Sequence, residues 1–351
     1  MREAVAGEEH FFPQPSIRSA RGPYVGEVEV AKTLRWGIIG TGGIARTFAN
    51  DLQLVDEGVV VAVGSRSRES ANEFADAFDV AHRFGSYEEL VSDSDVDVVY
   101  VATPHPMHRD NVILALEQGK HVLVEKAFTM NAFEAREIVS FARERNLFLM
   151  EAMWTRFLPH VVAIRSLLAQ DALGPLVSVE ADHGQWFAAD PSSRLFAPEL
   201  GGGALLDLGI YPVSFASMVL GTPQRIVALV DPAFTGVDGQ TSMLFGYESG
   251  AHAILTCTSR ARSATRACIT GERARIEIEG DFYAPSSFTL IDRGGEERQF
   301  DFPKQGRGLQ YEAQEVARCI DEGMIESPLM PLDESVSLME TMDAVLRFLR
   351  E

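Results

Sequence analysis

From Leu34 onward, short apolar runs alternate with segments of helical periodicity: a run at 34–39, a helix over 44–55, VVVAV at 59–63, a helix over 69–78, VDVVYVA at 96–102, a helix over 110–118, and HVLVE at 121–125. That rhythm predicts βαβ units joined into a parallel sheet. The runs are nearly continuous in Val and Ile, as strands must be when helices cover both faces of the sheet. Ser86 with Glu89, and Asn131 with Glu134, are spaced as capping boxes, and Gly119 stands where a helix should stop.

Beyond about residue 156 the rhythm changes. A helix over 160–170 leads to a strand near 176–182, then to the turn Gly201-Gly202-Gly203 and an apolar helix over 204–219. Strand-like runs follow at 225–230, 241–247, 251–258, 274–279 and 287–291, with hairpin punctuation at Glu248-Ser249-Gly250. Runs joined by short turns pair antiparallel. Helices over 309–322 and 333–350 close the chain. The fold class is therefore α/β: a doubly wound Rossmann domain over 34–155, then an α+β domain over 156–351 with an open, largely antiparallel mixed sheet. Residues 1–33 carry Pro13, Pro15, Gly22, Pro23 and Gly26 without periodicity and read as an extended or disordered arm.

The 351 residues suffice for two domains, and 46% apolar with 23% charged residues excludes collagen-like and disulfide-scaffold classes. A net charge of −20 disfavours nucleic acid and anionic membranes as partners. No run approaches a signal peptide or a membrane span. Cys257, Cys268 and Cys319 show no C-x-x-C spacing, which suits free thiols in a reducing, cytoplasmic setting.

The first strand runs into Gly40-Thr41-Gly42-Gly43-Ile44-Ala45, a G-x-G-x-x-A turn opening a helix. Its glycines allow a tight turn and close approach of a pyrophosphate, and Ala45 allows close helix–strand packing, so the turn points to dinucleotide binding. The second strand ends in Gly64-Ser65-Arg66-Ser67-Arg68, where an NAD site would offer a carboxylate to the ribose. Here Ser65, Arg66 and Ser67 suit a 2′-phosphate, favouring NADP over NAD, unless the arginines are merely solvated charges.

The third long strand ends at Thr103, Pro104, His105, Pro106, Met107 and His108, at the carboxyl edge where ligands bind in such sheets. Pro106 argues against a helix that would bring the two imidazoles together, so no metal is expected; these residues shape the loop over the cofactor, with His108 bonded locally. Glu125 and Lys126 end the next strand. Asp207 and Tyr211, four apart, share one face of an otherwise apolar helix, either as satisfied core groups or facing a pocket.

The segments GIIGTGGIA, ATPHPMH, VEKAF and GGALLDLGIYP together resemble the Gfo/Idh/MocA oxidoreductases. LMEAMWTRFLP at 149–159 and LQYEAQEVARCI at 309–320 look like its dihydrodiol dehydrogenase and NADP-dependent D-xylose dehydrogenase subgroup. The resemblance implies Lys126 and Tyr211 beside the nicotinamide, Asp207 contacting them or the substrate, and Trp154, Arg156 and Phe157 lining a substrate pocket. It departs at Ala127, where the family has proline. A free phenol is a poor base at neutral pH, so Lys126 is expected to lower the Tyr211 pKa and make it the base. The implied function is NADP-dependent oxidation of a pyranose sugar or a trans-dihydrodiol by hydride transfer, in a homodimer or larger oligomer. The alternatives are a sugar reductase, a glucose-fructose-type oxidoreductase with retained cofactor, and a noncatalytic NADP-binding sensor.

Overall fold

The computed structural model describes residues 33–349, so the expected arm, except for Thr33, lies outside the described residues. A six-stranded sheet contains β1 (Leu34–Ile39), β2 (Gly58–Gly64), β3 (His82–Phe84), β4 (Val98–Val101), β5 (His121–Glu125) and β6 (Leu149–Ala152). All pairings are parallel, in the order β3-β2-β1-β4-β5-β6. The order reverses between β1 and β4, and the crevice outside the strand ends there is where such sheets take ligands. Flanking helices are α1 (Gly43–Leu52), α2 (Arg68–Phe78), α3 (Tyr87–Val91), α4 (His108–Glu117) and α5 (Ala132–Arg145).

Local chemistry sets these boundaries. Ser86 Oγ accepts from Glu89 N–H and Asn131 Oδ1 from Glu134 N–H. The returning carboxylates reach one residue further back than a capping box requires, to the N–H groups of Gly85 and Met130. Gly119 adopts φ +72° just beyond α4.

The second domain opens with α6 (Pro159–Ala169) and builds an eight-stranded sheet from β7 (Leu176–Gly184), β8 (Arg225–Pro232), β9 (Asp238–Gly246), β10 (His252–Thr258), β11 (Ala267–Gly271), β12 (Ala274–Ile278), β13 (Phe288–Asp292) and β14 (Glu297–Phe300). The order is β14-β13-β12-β11-β7-β10-β9-β8, antiparallel except where β7 meets β10. Burial alternates along β9 and β10, so one face carries the core and the other is open. The core face packs on α7 (Ile210–Leu220) and the π-helical turn Leu205–Gly209 before it. The segment 198–220 is, among the described residues, the one helix long and apolar enough to cross a membrane, contrary to the expectation from sequence; 78% of its window is buried inside the protein, as befits a core helix.

The last helices, α8 (Gln310–Asp321) and α9 (Leu332–Leu346), pack back on the first domain, unlike the linear partition the sequence suggested. Ala132 N–H donates to Asp343, Arg143 pairs with Asp333 at 2.8 Å, and Gln314 reaches Glu57. The firmest tie is Asp51 on α1, whose buried carboxylate accepts the N–H groups of Arg307, Gly308 and Leu309 at 2.8–3.0 Å. Gly306 and Gly308 there have positive φ, which lets three successive N–H groups converge on one side chain. Removing that acceptor strands buried donors. Asp51→Ala is therefore expected to cost about 3 kcal/mol, read as a lower urea midpoint with unchanged m-value.

Candidate active site

At the end of β1, Gly40 has φ +103°, and a Cβ there would lie 2.7 Å from the Ala102 carbonyl oxygen. Gly42 and Gly43 differ: a Cβ on either meets nothing within 4 Å, so the backbone at the N-terminus of α1 lies open. Thr41 and Ile44 flank the turn half-buried, and Ala45 is fully buried against the sheet. Beyond β2, the buried Ser65 Oγ accepts from Ser67 N–H, Ser67 Oγ caps α2 by accepting from Ser70 N–H, and Arg66 is exposed. Arg66 stands by Tyr87, whose phenol burial pushes up and the guanidinium draws back. An open glycine cradle with hydroxyls and a cation at its far end fits a phosphorylated dinucleotide.

The loop after β4 is held from below. Thr103 Oγ1 accepts from Asn111, and Pro104 precedes a short 3-10 helix, His105–Met107. Pro106 sits in the first turn of that helix, where its missing N–H costs nothing, so the helix it was expected to prevent does form. The two imidazoles come within 5.5 Å of each other, yet each is occupied by backbone. His105 lies between the carbonyls of Gly201 and Lys126, and His108 between those of Thr103 (2.8 Å) and Ala127 (2.9 Å). Burial depresses both rings, to about 3 and about 4, so each is neutral and donates to one of its two carbonyls.

Lys126 follows β5, and its peptide bond to Ala127 is cis. Its Nζ donates to the Asp207 carbonyl oxygen at 3.0 Å and to Asp207 Oδ1 at 3.2 Å, and lies 4.9 Å from the centre of the Tyr211 ring. The acceptors arise locally. Pro212 offers no N–H to the carbonyls four and five residues before it, those of Leu208 and Asp207, and both accept from side chains instead: Leu208 from His183 Nδ1, Asp207 from Lys126. Asp238 fixes the start of this segment by accepting Leu205 N–H, and the absent side chain of Gly203 makes room for its carboxylate.

Burial alone would depress the Lys126 ammonium, but facing Tyr211, Asp207 and Glu125 outweigh it and hold the charge above its ordinary value. Burial would likewise raise Asp207, but Lys126 and Arg194, which donates to Oδ1 at 2.8 Å, keep it ionised well below the usual carboxylate range. For Tyr211 the balance goes the other way. Burial raises the phenol to about 12 although Lys126 and the Trp154 hydrogen bond oppose it, so the expected net lowering by Lys126 is corrected: the hydroxyl is protonated at neutral pH. Glu125, expected at the cofactor, is turned into the core, where it accepts from the Tyr100 hydroxyl and from Lys126 N–H.

Trp154 Nε1–H donates to Tyr211 Oη at 3.0 Å. Tyr283, not anticipated from sequence, packs on Tyr211 (4.7 Å), Trp154 (5.9 Å) and His183 (4.3 Å). Gln185 donates to His183 Nε2 and reaches the Tyr283 hydroxyl. Phe157 is buried in the same short turn as Trp154. Arg156 is 2% exposed and bonded to Ser214 and Glu334, tying this turn to α7 and α9, and with Tyr211, Ser214 and Phe215 it lines a small cavity. His183 and Gln185 had a sequence signal, polar side chains at the end of an apolar strand; Tyr283, Arg194 and Arg307 lie on loops without periodicity.

Two family models match the chain. The oxidoreductase family with an NAD-binding Rossmann fold covers residues 34–153, and the GFO/IDH/MocA C-terminal domain covers 161–277. The trans-1,2-dihydrobenzene-1,2-diol dehydrogenase of Sus scrofa is 40% identical over 89% of this chain and 96% of its own length. The D-xylose 1-dehydrogenase (NADP(+)) of Hypocrea jecorina is 37% identical over 90% and 92%. Among solved structures, a 3-ketoreductase from Actinomadura kijaniata with NADP and TDP-benzene superposes with a TM-score of 0.79 at 27% identity, covering 90% of this chain and 98% of that one. An aldose-aldose oxidoreductase from Caulobacter crescentus shares the fold at a TM-score of 0.83 and 23% identity, over 91% and 98%. With both of its domains matched and such relatives aligned along nine-tenths of its length, the chain belongs to the Gfo/Idh/MocA family of oxidoreductases.

Proposed function

We propose that the protein is an NADP-dependent dehydrogenase of a pyranose sugar or a cyclic trans-diol, with Tyr211 exchanging the hydroxyl proton and Lys126 stabilising charge on the reacting oxygen. The carrying observation is that one phenol oxygen receives the Trp154 N–H while the buried Lys126 ammonium faces the same ring. This cluster stands at the carboxyl edge of the sheet that carries the glycine turn. The names of the Sus scrofa and Hypocrea jecorina relatives support the substrate class and, in the second, NADP. Ser65, Arg66 and Ser67 support NADP independently.

NADP, which the glycine turn at 40–45 with Ser65, Arg66 and Ser67 would hold, would supply a nicotinamide as the acceptor of the hydride and its two electrons. Once Tyr211 has lost its own proton to solvent, the substrate O–H proton passes to the phenolate Oη as the C=O forms, and Lys126 Nζ favours both that phenolate and the developing alkoxide. Asp207 and Arg194 fix the ammonium in place. Trp154 and Tyr283 present aromatic surface to the apolar side of a ring.

A second reading rests on the protonated state of Tyr211. A phenol that keeps its proton at neutral pH is ready to act as the acid in reducing a carbonyl, while oxidation must wait for its loss. Oxidation kcat/KM is accordingly expected to climb with pH through the alkaline range, and reduction to stay level or fall. Tyr211→Phe abolishes the slope; initial rates in both directions across pH check this.

The first test is nicotinamide absorbance with NADP, and separately NAD, across aldoses, inositols and trans-dihydrodiols. Lys126→Met is expected to lower kcat by about 10²- to 10³-fold with little change in NADP affinity. Retained turnover in that variant would sink the assignment.

The proposal extends to a homodimer through the open sheet face. Val227, Leu244 and Ile254 stand in one cross-strand row on β8, β9 and β10, with Leu229 beside them, and all four are 46–76% exposed. A contiguous apolar patch of this kind marks an interface. Light scattering is expected to give twice the 38.5 kDa chain mass for the native protein and a shift toward the monomer for Leu229→Lys.

A further inference from the structure

Arg307 has no place in the proton chemistry, yet it is held as firmly as the residues that do. Its N–H and the next two are gathered by the buried Asp51 carboxylate, between Gly306 and Gly308 at positive φ. The guanidinium lies 5.7 Å from the centre of the Trp154 ring and beside the Tyr283 hydroxyl. Both rings pack directly on Tyr211, so Arg307 is one aromatic ring removed from the reacting oxygen.

The site's other cations are answered: Lys126 and Arg194 share Asp207. Asp281 adjoins Tyr283 without pairing with Arg307, and among the described residues no carboxylate lies within 4 Å of its guanidinium. The Arg307 side chain is exposed, and its neighbours are the Tyr283 hydroxyl and the Trp154 ring, both at the site, rather than an acid. A planar guanidinium offers paired donors that match carboxylate and phosphate.

We infer that the substrate carries an anionic group, a carboxylate or a phosphate monoester, on the part of its ring remote from the reacting carbon, and that Arg307 pairs with it. This rests on the dehydrogenase reading above and narrows its substrate class. Trp154 then carries the ring on its face while Arg307 and Tyr211 grip its two ends, which fixes the C–H and O–H to be broken.

The test compares one pyranose frame with three substituents: D-glucose, D-glucuronate and D-glucose 6-phosphate. NADP-linked rates and calorimetric binding to NADP-loaded protein are measured for the native chain, Arg307→Ala and Arg307→Lys. The expected result is a kcat/KM for one anionic sugar at least about tenfold above glucose, a typical effect of one charge-assisted pair. That ratio collapses toward one in Arg307→Ala through KM, is partly kept in Arg307→Lys, and shrinks as salt rises. Which anion is favoured tells carboxylate from phosphate. Glucose turnover with a ratio that Arg307→Ala leaves unchanged overturns the inference and spares the dehydrogenase reading. Anion-selective binding lost in Arg307→Ala, without turnover of any sugar, upholds the inference and counts against that reading. Failure of both anionic sugars to bind more tightly than glucose overturns it outright.

Discussion

An ammonium largely withdrawn from water, its side chain 13% exposed, sits at the junction of the two domains, and the surrounding architecture is arranged to keep it charged. Burying Lys126 without partners would cost several kcal/mol or neutralise it. Asp207 supplies both a carboxylate and a main-chain carbonyl, and it can do so because a π-helical turn followed by Pro212 leaves that carbonyl to a side chain. From the first domain, the neutral His105 packs between the Lys126 and Gly201 carbonyls and donates to one of them, and Glu125 beneath holds the Lys126 N–H. A contact between residues 81 apart in sequence thus depends on a proline, a histidine kept neutral by burial, and a glycine that leaves space for Asp238.

The same burial that demands these partners sets the state of Tyr211. Its ring is enclosed by Trp154, His183 and Tyr283, and low polarity resists a phenolate more strongly than one ammonium at 4.9 Å favours it. The residue pair is as the family resemblance implied, but the sign of the net shift is not. Proximity of a positive charge was legible in the sequence; the degree of enclosure was not, because it is created by Tyr283, which arrives from a loop more than seventy residues downstream.

Much of the fold could be read from periodicity because buried parallel strands must be apolar on both faces. β3, β6, β11 and β14 escaped notice for opposite reasons: β3 and β14 are short, polar edge strands, while Leu149–Ala152 is lost within a longer apolar stretch and Ala267–Gly271 is short and Gly-terminated. The glycine turn, Lys126, Asp207 and Tyr211 could be singled out because motif spacing and strand ends mark them, and Trp154 because the family resemblance implies it. Nothing in the sequence shows that Arg156 is buried and bonded to Ser214 and Glu334, because those partners lie 58 and 178 residues away. Long-range polar ties such as Asp51 to residues 307–309 leave no periodic trace.

The return of α8 and α9 onto the nucleotide domain bears on how this architecture can be divided. α9 lies along α5 through Asp343, Glu340 and Asp333, and the approach to α8 is pinned to α1 by Asp51. A cut at the apparent boundary near residue 155 would leave the flanks of α1 and α5 uncovered and the Asp51 carboxylate without the N–H groups it gathers. The folding unit is therefore the interleaved whole: a nucleotide domain excised from this chain keeps its covered flanks only if the C-terminal segment carrying α8 and α9 comes with it.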